Sequence, residues 1–439
     1  MYLHGNKWSY TKRRKRSNPW SIIALVLIIG AALYFEQVVV PVTPPLFIPT
    51  STPTQSPESF VAKAESLVAQ GKLAPAIQAY QNAVQSDPKN ASNYVALARL
   101  LDYTSKYQDA LTNIENALLL NPNNSTALAL RGWTEGFLGN WVEAENSLNN
   151  AITQDPNNAI AYAYLAEVLA NESQTGEGSL GTLNEAIDMS KKAVSLAPNL
   201  METHRGRGTV LEITANYQEA ATEFEAAVAL NPNIADLHMA LGRNYRFLQQ
   251  YDKAIDQFNR ANALNPADPL PDTYISRTYA TVGEWAKAVQ FAEQAVKQSP
   301  TDPLMQGNLG VMYYHNRQYQ ESLAPLRLSV RGGTTDTGQD VKGLPLDYGR
   351  VSEYYYTYGL ALAHTGGCGE ALQISQLIQQ GVPKDDVAVS NAQEMINICQ
   401  QVADSTATPA VSLTGEPTGV DTPAKGAKPT QEPTPTPSP

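Results

Sequence analysis

Apolar side chains recur at helical spacing along most of the chain, in successive pairs of stripes. In one block the first stripe consists of Leu237, Ala240, Leu241 and Tyr245, at relative positions i, i+3, i+4 and i+8. After two glutamines, the second stripe consists of Tyr251, Ala254, Ile255, Phe258 and Ala261. It ends at Asn265-Pro266, because a residue before proline is pushed out of the α region. Each block therefore predicts two α-helices that pack through one apolar face each.

This two-helix block returns every 34 residues. Alanine holds the twentieth position of the block at Ala76, Ala110, Ala144, Ala186, Ala220, Ala254, Ala288 and Ala371. Proline holds the thirty-second position at Pro88, Pro122, Pro156, Pro198, Pro232, Pro266 and Pro300. A fixed period of this length is typical of solenoids, in which each repeat contacts its neighbours and no central core is needed.

The period and its alternation of small and large positions resemble the tetratricopeptide repeat, over roughly residues 57–380. The resemblance implies an all-α, right-handed superhelical solenoid of about nine repeats, with the first helix of each repeat on the concave side. Two departures are visible: eight extra residues near 172–178, and a long loop at 331–350. With a terminal capping helix over 385–402, the predicted solenoid spans residues 57–402.

The N-terminus predicts a membrane anchor. Residues 1–19 carry six basic residues and no acidic residue, and a strongly apolar segment follows. About 20 apolar residues span the ~30 Å hydrocarbon layer of a bilayer, and a basic flank stays cytoplasmic. We therefore expect a cytoplasmic segment at 1–19, a transmembrane helix at 20–40 and everything after it outside. The alternative is a cleaved signal peptide, but bulky residues follow Ala31-Ala32 where a small-x-small site would be needed.

Two segments are too poor in large apolar residues to fold. Residues 41–56 are rich in Pro and Thr and predict a semi-rigid linker between membrane and solenoid. Residues 403–439 end in a Pro-Thr-Pro-Thr-Pro-Ser-Pro run and predict a disordered tail, because the segment cannot bury enough surface to offset its ordering entropy.

Charge bears on the kind of partner. The chain carries a net charge of −11, and the first 19 residues hold six of its 31 basic residues and none of its 42 acidic residues. The remainder is therefore at −17. An acidic domain of this kind argues against nucleic acid, whose binding depends on neutralising phosphates.

No catalytic or cofactor motif is present. The sequence has no His-Glu-x-x-His, nucleophile elbow or phosphate-binding loop, and its five histidines are scattered. His204 and His238 share one repeat position and are expected to be structural. We therefore expect no enzyme, no cofactor and no metal. An active site in the 331–350 loop is the remaining enzymatic alternative, without a visible base–nucleophile pair.

The resemblance places a set of side chains on the concave face of the middle repeats. These candidate groove residues are Arg205, Met239, Arg243, Arg246, Thr273 and Arg277. Arginine presents a planar fork suited to carboxylates, so the groove is expected to hold an unidentified protein partner or peptide. The alternative is that the arginines pair with nearby acids of the same face, among them Glu202, Glu212 and Asp236.

The two cysteines, Cys368 and Cys399, are expected to form a disulfide. Pairing the second helix of repeat 9 with the antiparallel capping helix brings residue 368 opposite residue 397, within one helical turn of Cys399. The alternative is a pair of small buried thiols.

The sequence thus favours a non-enzymatic, membrane-anchored scaffold for protein–protein interaction on the extracytoplasmic side. The alternative is an envelope or secretion accessory that binds glycan or assembles a wall or secretion enzyme complex.

Overall fold

The computed structural model describes residues 18–39, 56–176 and 181–406. Most of the predicted cytoplasmic segment (1–19), the predicted linker (41–56) and the predicted tail (403–439) lie outside these ranges. The described part consists almost entirely of α-helices, as the periodicity predicts.

The N-terminal helix α1, Pro19–Tyr34, continues into a π-helical turn, Phe35–Val39. Nine helix pairs follow in the described chain: α2 Pro57–Ala69 and α3 Leu73–Ser86, α4 Ala91–Tyr103 and α5 Tyr107–Leu120, α6 Ser125–Phe137 and α7 Trp141–Gln154, α8 Ala159–Thr175 and α9 Thr182–Leu196, α10 Met201–Ile213 and α11 Tyr217–Leu230, α12 Ala235–Phe247 and α13 Tyr251–Leu264, α14 Leu270–Thr281 and α15 Trp285–Gln298, α16 Pro303–His315 and α17 Tyr319–Arg331, and α18 Arg350–His364 and α19 Cys368–Gly381. A final helix, α20, spans Asp386–Thr406.

Within each pair, small residues let the two helices approach closely. Gly242 of α12 faces Phe258 of α13 so closely that a Cβ atom at Gly242 would lie 2.5 Å from the ring. The same repeat position holds Gly132, Gly208, Gly310 and Gly359, each facing a large side chain of a helix packed against it. Ala254, at the twentieth position, is fully buried. The 34-residue pattern is thus a packing pattern, in which a small position on one helix faces a large one on the next.

The turn inside the pair has a fixed geometry. The backbone at the fifteenth position of the repeat has a left-handed conformation, with positive φ, in eight repeats. Four of these positions hold glycine: Gly71, Gly139, Gly283 and Gly366. The other four hold Ser105, Ala215, Gln249 and Arg317, with φ between 58° and 63°. Glycine takes this conformation without the penalty that a Cβ atom brings. The four other residues show that helix packing fixes the turn even where the local sequence disfavours it.

First helices contact the first helices of the next repeat, as α4 does with α6 and α6 with α8, which places them on the inner side of the solenoid. In the N-terminal half this curvature brings distant repeats together. The side-chain amide of Asn233, just before α12, donates to the carbonyl of Val68 near the end of α2, at 3.3 Å. The end of repeat 5 therefore touches repeat 1, and the first five repeats form a ring, which we call the N-terminal ring.

The C-terminal end is closed by two additions. The predicted 331–350 loop contains a short antiparallel hairpin, Gly333–Thr334 with Asp340–Val341. The Tyr355 hydroxyl donates to the carbonyl of Leu344, at 2.7 Å, and anchors the loop on α18. Helix α20 buries Ala388, Ala392 and Met395 against the last repeat, so it acts as the expected cap and extends four residues beyond 402.

Substituting Ala254 with leucine tests the packing register. We expect Ala254→Leu to lower the stability by roughly 1–3 kcal/mol, because the site has no space for three more carbon atoms. Thermal unfolding of the full chain, followed by circular dichroism, measures the change. Ala263→Leu on the exposed face of the same helix is the control and should melt like the wild type. Equal melting of the two variants would contradict this packing.

Candidate functional site

Arg205 of α10 is the most densely partnered side chain of the concave face. Its guanidinium donates to both carboxylate oxygens of Glu167 on α8, at 3.0–3.2 Å. A second ion pair joins it to Asp236 on α12. The residue is 4% exposed, so its charge depends on these partners rather than on water.

Aromatic rings complete the surroundings of Arg205. Its guanidinium carbon lies 4.6 Å from the centroid of the Trp133 ring, a cation–π contact, and 5.9 Å from that of Phe137. Trp133 in turn stacks on Tyr164, with centroids 4.5 Å apart. Arg205 therefore connects α6, α8, α10 and α12, which belong to four successive repeats.

Arg243 is also engaged within the protein. Its guanidinium forms a bidentate pair with Glu212, at 2.8 and 3.1 Å. Burial acts to raise the pKa of Asp236, but Arg205 and Arg243 outweigh it and hold that pKa below its usual value. The structure thus places these two predicted groove arginines in ion pairs between neighbouring repeats, with Glu212 and Asp236 among the partners.

Two predicted groove residues lie in the packed interior instead of on an open surface. Met239 is 5% exposed and Thr273 is 1% exposed. The Thr273 hydroxyl donates to the carbonyl of Pro269, at 2.8 Å, within its own helix. The Thr273 hydroxyl also lies 2.9 Å from the sulfur of Met305 on α16, so this inward position packs against the first helix of the next repeat.

Arg246 and Arg277, the last two predicted groove residues, lie together with Arg350. The three line an open depression of about 220 Å³, with Trp285 and His315 in its wall. We call them the arginine cluster. Burial lowers the pKa of Arg246, and the positive charges of Arg277 and Arg350 act in the same direction. The cluster is therefore suited to a negatively charged partner.

The other two members of the cluster have partial partners. The Arg277 side chain donates to the amide oxygen of Asn308, at 3.0 Å, and Arg350 pairs with Glu353, at 2.6 Å. One carboxylate thus faces three guanidinium groups. The sequence reasoning missed Arg350, because it precedes repeat 9 and falls outside the 34-residue register.

Cys368, at the start of α19, and Cys399, on α20, form a disulfide in the structure, with Cα atoms 5.5 Å apart. Burial supports the same pairing of helices, since Cys399 is 6% exposed. Within the described residues, no group of three or more His, Cys, Asp or Glu side chains is arranged to hold a metal ion.

This architecture defines a class: an α-helical solenoid whose inner surface carries the charged and aromatic side chains. A family model of the tetratricopeptide repeat matches residues 208–269 and 275–336. No curated protein matches the chain significantly. The matched segments share their 34-residue register with the remaining helix pairs, so the solenoid has the fold of a tetratricopeptide-repeat protein.

Several solved structures are similar to this chain. A tetratricopeptide-repeat protein from Parabacteroides merdae is 17% identical and covers 59% of this chain and 99% of its own, with a TM-score of 0.37. A thermophilic one from Thermus thermophilus is 23% identical and covers 44% and 100%, with a TM-score of 0.38. The Cut9–Hcn1 hetero-tetramer of the APC/C is 12% identical and covers 86% and 82%, with a TM-score of 0.52, which shows a shared fold alone.

Replacing Arg205 with glutamine tests how much its ion pairs stabilise the solenoid. We expect Arg205→Gln to cost roughly 3–5 kcal/mol, because Glu167 would stay buried without a cation. Chemical denaturation of the full chain measures the loss. The exposed Arg260→Gln should change stability by no more than about 0.5 kcal/mol.

A second substitution separates charge from shape. Adding Glu167→Gln to Arg205→Gln should recover part of the stability, because the unpaired carboxylate is then removed. A loss from Arg205→Gln no larger than that of the Arg260 control would show that the ion pairs do not hold the repeats together.

Proposed function

We propose that the protein is a membrane-anchored, non-enzymatic scaffold whose solenoid binds a protein partner on the extracytoplasmic side. The fold supports the general part of this statement, because tetratricopeptide-repeat proteins are typically interaction scaffolds that bind partners in a groove. The arginine cluster supplies the specific part, since three guanidinium groups line this depression together with one carboxylate, that of Glu353.

The N-terminal helix supports the anchor. Residues Pro19–Val38 have a mean hydropathy of 2.0 and are wholly unburied, so length and composition suffice to cross a membrane. A signal sequence meets the same criterion. We favour an uncleaved anchor because bulky residues follow Ala32. We place the solenoid outside the membrane because the residues before Pro19 are basic and stay in the cytoplasm.

The disulfide gives independent support to an extracytoplasmic solenoid. Disulfides persist in oxidising compartments and are rare where glutathione keeps thiols reduced. The Cys368–Cys399 bridge joins the last repeat to the cap, at the end of the solenoid farthest along the chain from the membrane helix.

The proposed partner carries carboxylates on an extended segment. Arg205 and Arg243 are already paired within the protein, which leaves Arg246, Arg277 and Arg350 to receive it. Trp285 beside them offers an aromatic surface for an apolar side chain of the same segment. If a polysaccharide were bound instead, the protein would be an envelope accessory.

Topology is testable on intact cells. We expect added protease to digest the solenoid or its linker, while an N-terminal tag before Lys7 stays protected. Non-reducing peptide mapping of the same preparation should recover a peptide pair joined through Cys368 and Cys399. A protected solenoid with two free thiols would reverse the proposed orientation, and a mature N-terminus beyond Ala32 would show a cleaved signal peptide.

Charge reversal tests the partner surface. The partner is first identified by a photo-crosslinking residue at the exposed Thr281, followed by mass spectrometry. Arg246→Glu with Arg350→Glu should then weaken binding by at least about tenfold, and raising the salt concentration should weaken wild-type binding. Arg277 is left intact because its side chain donates a hydrogen bond to the buried Asn308.

The matched control reverses two exposed charges on second helices, with Lys192→Glu and Arg260→Glu. The net charge changes equally, so a general electrostatic effect would weaken binding in both double variants. Equal affinity of the wild type and the Arg246/Arg350 variant would eliminate the arginine cluster as the binding surface.

A further inference from the structure

A second and larger cavity lies inside the N-terminal ring, away from the arginine cluster. It has a volume of about 750 Å³, is open to solvent, and is lined by α2 to α4 on one side and by the start of α10 with the end of α11 and the loop before α12 on the other. Its wall includes Tyr80, Arg99, Leu100, Tyr103, Glu202 and Leu230. The volume falls in the range of small-ligand pockets, about 300–1,000 Å³.

Arg99 and Glu202 carry opposite charges and both line this cavity, but no ion pair joins them. The Nε of Arg99 is buried and has no hydrogen-bond partner. Glu202 is 5% exposed, and in the described chain no hydrogen bond or ion pair involves its carboxylate. Buried charges are costly unless they are paired, and these two lie too far apart to pair with each other.

The contrast with Arg205 makes the feature specific. Arg205 is buried in the same ring and has two carboxylate partners and an aromatic face, whereas Arg99 is half-buried. Arg99 has Tyr103 and Tyr80 nearby but no carboxylate within ion-pair distance in the described residues. Each guanidinium keeps one buried nitrogen without a hydrogen-bond partner, Nη1 in Arg205 and Nε in Arg99, and Arg99 is the one of the two that lines the cavity.

We propose that this cavity binds a small zwitterion, an amino acid or short peptide with free termini. Its carboxylate pairs with Arg99, its ammonium group pairs with Glu202, and its apolar body lies against Leu100, Leu200 and Leu230. A simple anion would leave Glu202 unpaired and a simple cation would leave Arg99 unpaired. A ligand with both charges satisfies both groups at once.

The two phenols complete the site. Burial raises the pKa of Tyr80 and of Tyr103, so both hydroxyls remain protonated at neutral pH and can donate to a carboxylate. Asn233 closes the edge of the cavity through its hydrogen bonds to the carbonyls of Val68 and Ala69. That contact bounds the size of the ligand, because a long chain would have to open the ring.

The test is calorimetric titration of the full chain in detergent with leucine, Leu-Leu and Leu-Leu-Leu. At least one probe should bind, and Arg99→Gln and Glu202→Gln should each weaken it by at least about tenfold. Arg260→Gln, an exposed arginine on α13, should leave the affinity unchanged. Matched probes that lack one charge, N-acetyl-leucine and leucine amide, should bind much more weakly than leucine.

Melting of the ligand-free variants is the second readout. Because each charge is unpaired, neither Arg99→Gln nor Glu202→Gln should lower the melting temperature. The proposal is overturned if no probe binds up to about 10 mM, if a singly charged probe binds as tightly as the zwitterion, or if the variants keep wild-type affinity. A marked fall in the melting temperature would overturn it too, by showing that the two charges already stabilise the fold.

Discussion

The buried charge of Arg205 constrains the N-terminal ring more than any other single feature. A guanidinium removed from water is tolerated only while its partners keep their positions, and here these partners come from three other repeats. A simple solenoid couples nearest neighbours alone. Trp133 lies two repeats before Arg205, and Asn233 joins repeat 5 to repeat 1, so this part of the chain departs from that rule. We expect the ring to unfold as one cooperative unit.

The ring also divides the concave face into two surfaces with different uses. In the N-terminal half the inner surface is closed on itself, and its charged groups either pair with each other or line a cavity. In the C-terminal half the arginine cluster lies in an open depression. The proposed macromolecular partner and the proposed small ligand would therefore bind at separate sites, the arginine cluster and the cavity of the N-terminal ring. Neither proposal depends on the other.

The sequence predicted the helix pairs and their packing with little error, because these depend on contacts inside one 34-residue unit. The position of Gly242 opposite Phe258 can be inferred from spacing alone. The groove was predicted less well. Spacing placed Met239 and Thr273 on the inner side, but whether an inner residue is open or buried depends on curvature. Curvature is the sum of small rotations between repeats, and no single repeat encodes it.

The same reason explains why Arg350 and the Arg99–Glu202 cavity were missed. Both sites combine residues from repeats far apart in sequence, at positions without a common register. By contrast, the spacing of Cys368 and Cys399 was informative, since the two lie on adjacent antiparallel helices joined by a short turn.

The bridge between the last repeat and the cap has a mechanical consequence. If the proposed membrane helix holds one end of the solenoid, a pull on the far end loads the repeats in series, and the terminal helices have the fewest neighbours to resist it. The disulfide withholds the chain between its cysteines, which are 31 positions apart in the sequence, from extension. At ~3.3–3.6 Å per extended residue, that is roughly 100 Å of chain that tension cannot draw out. The disulfide therefore crosslinks the end of the solenoid that is most exposed to fraying.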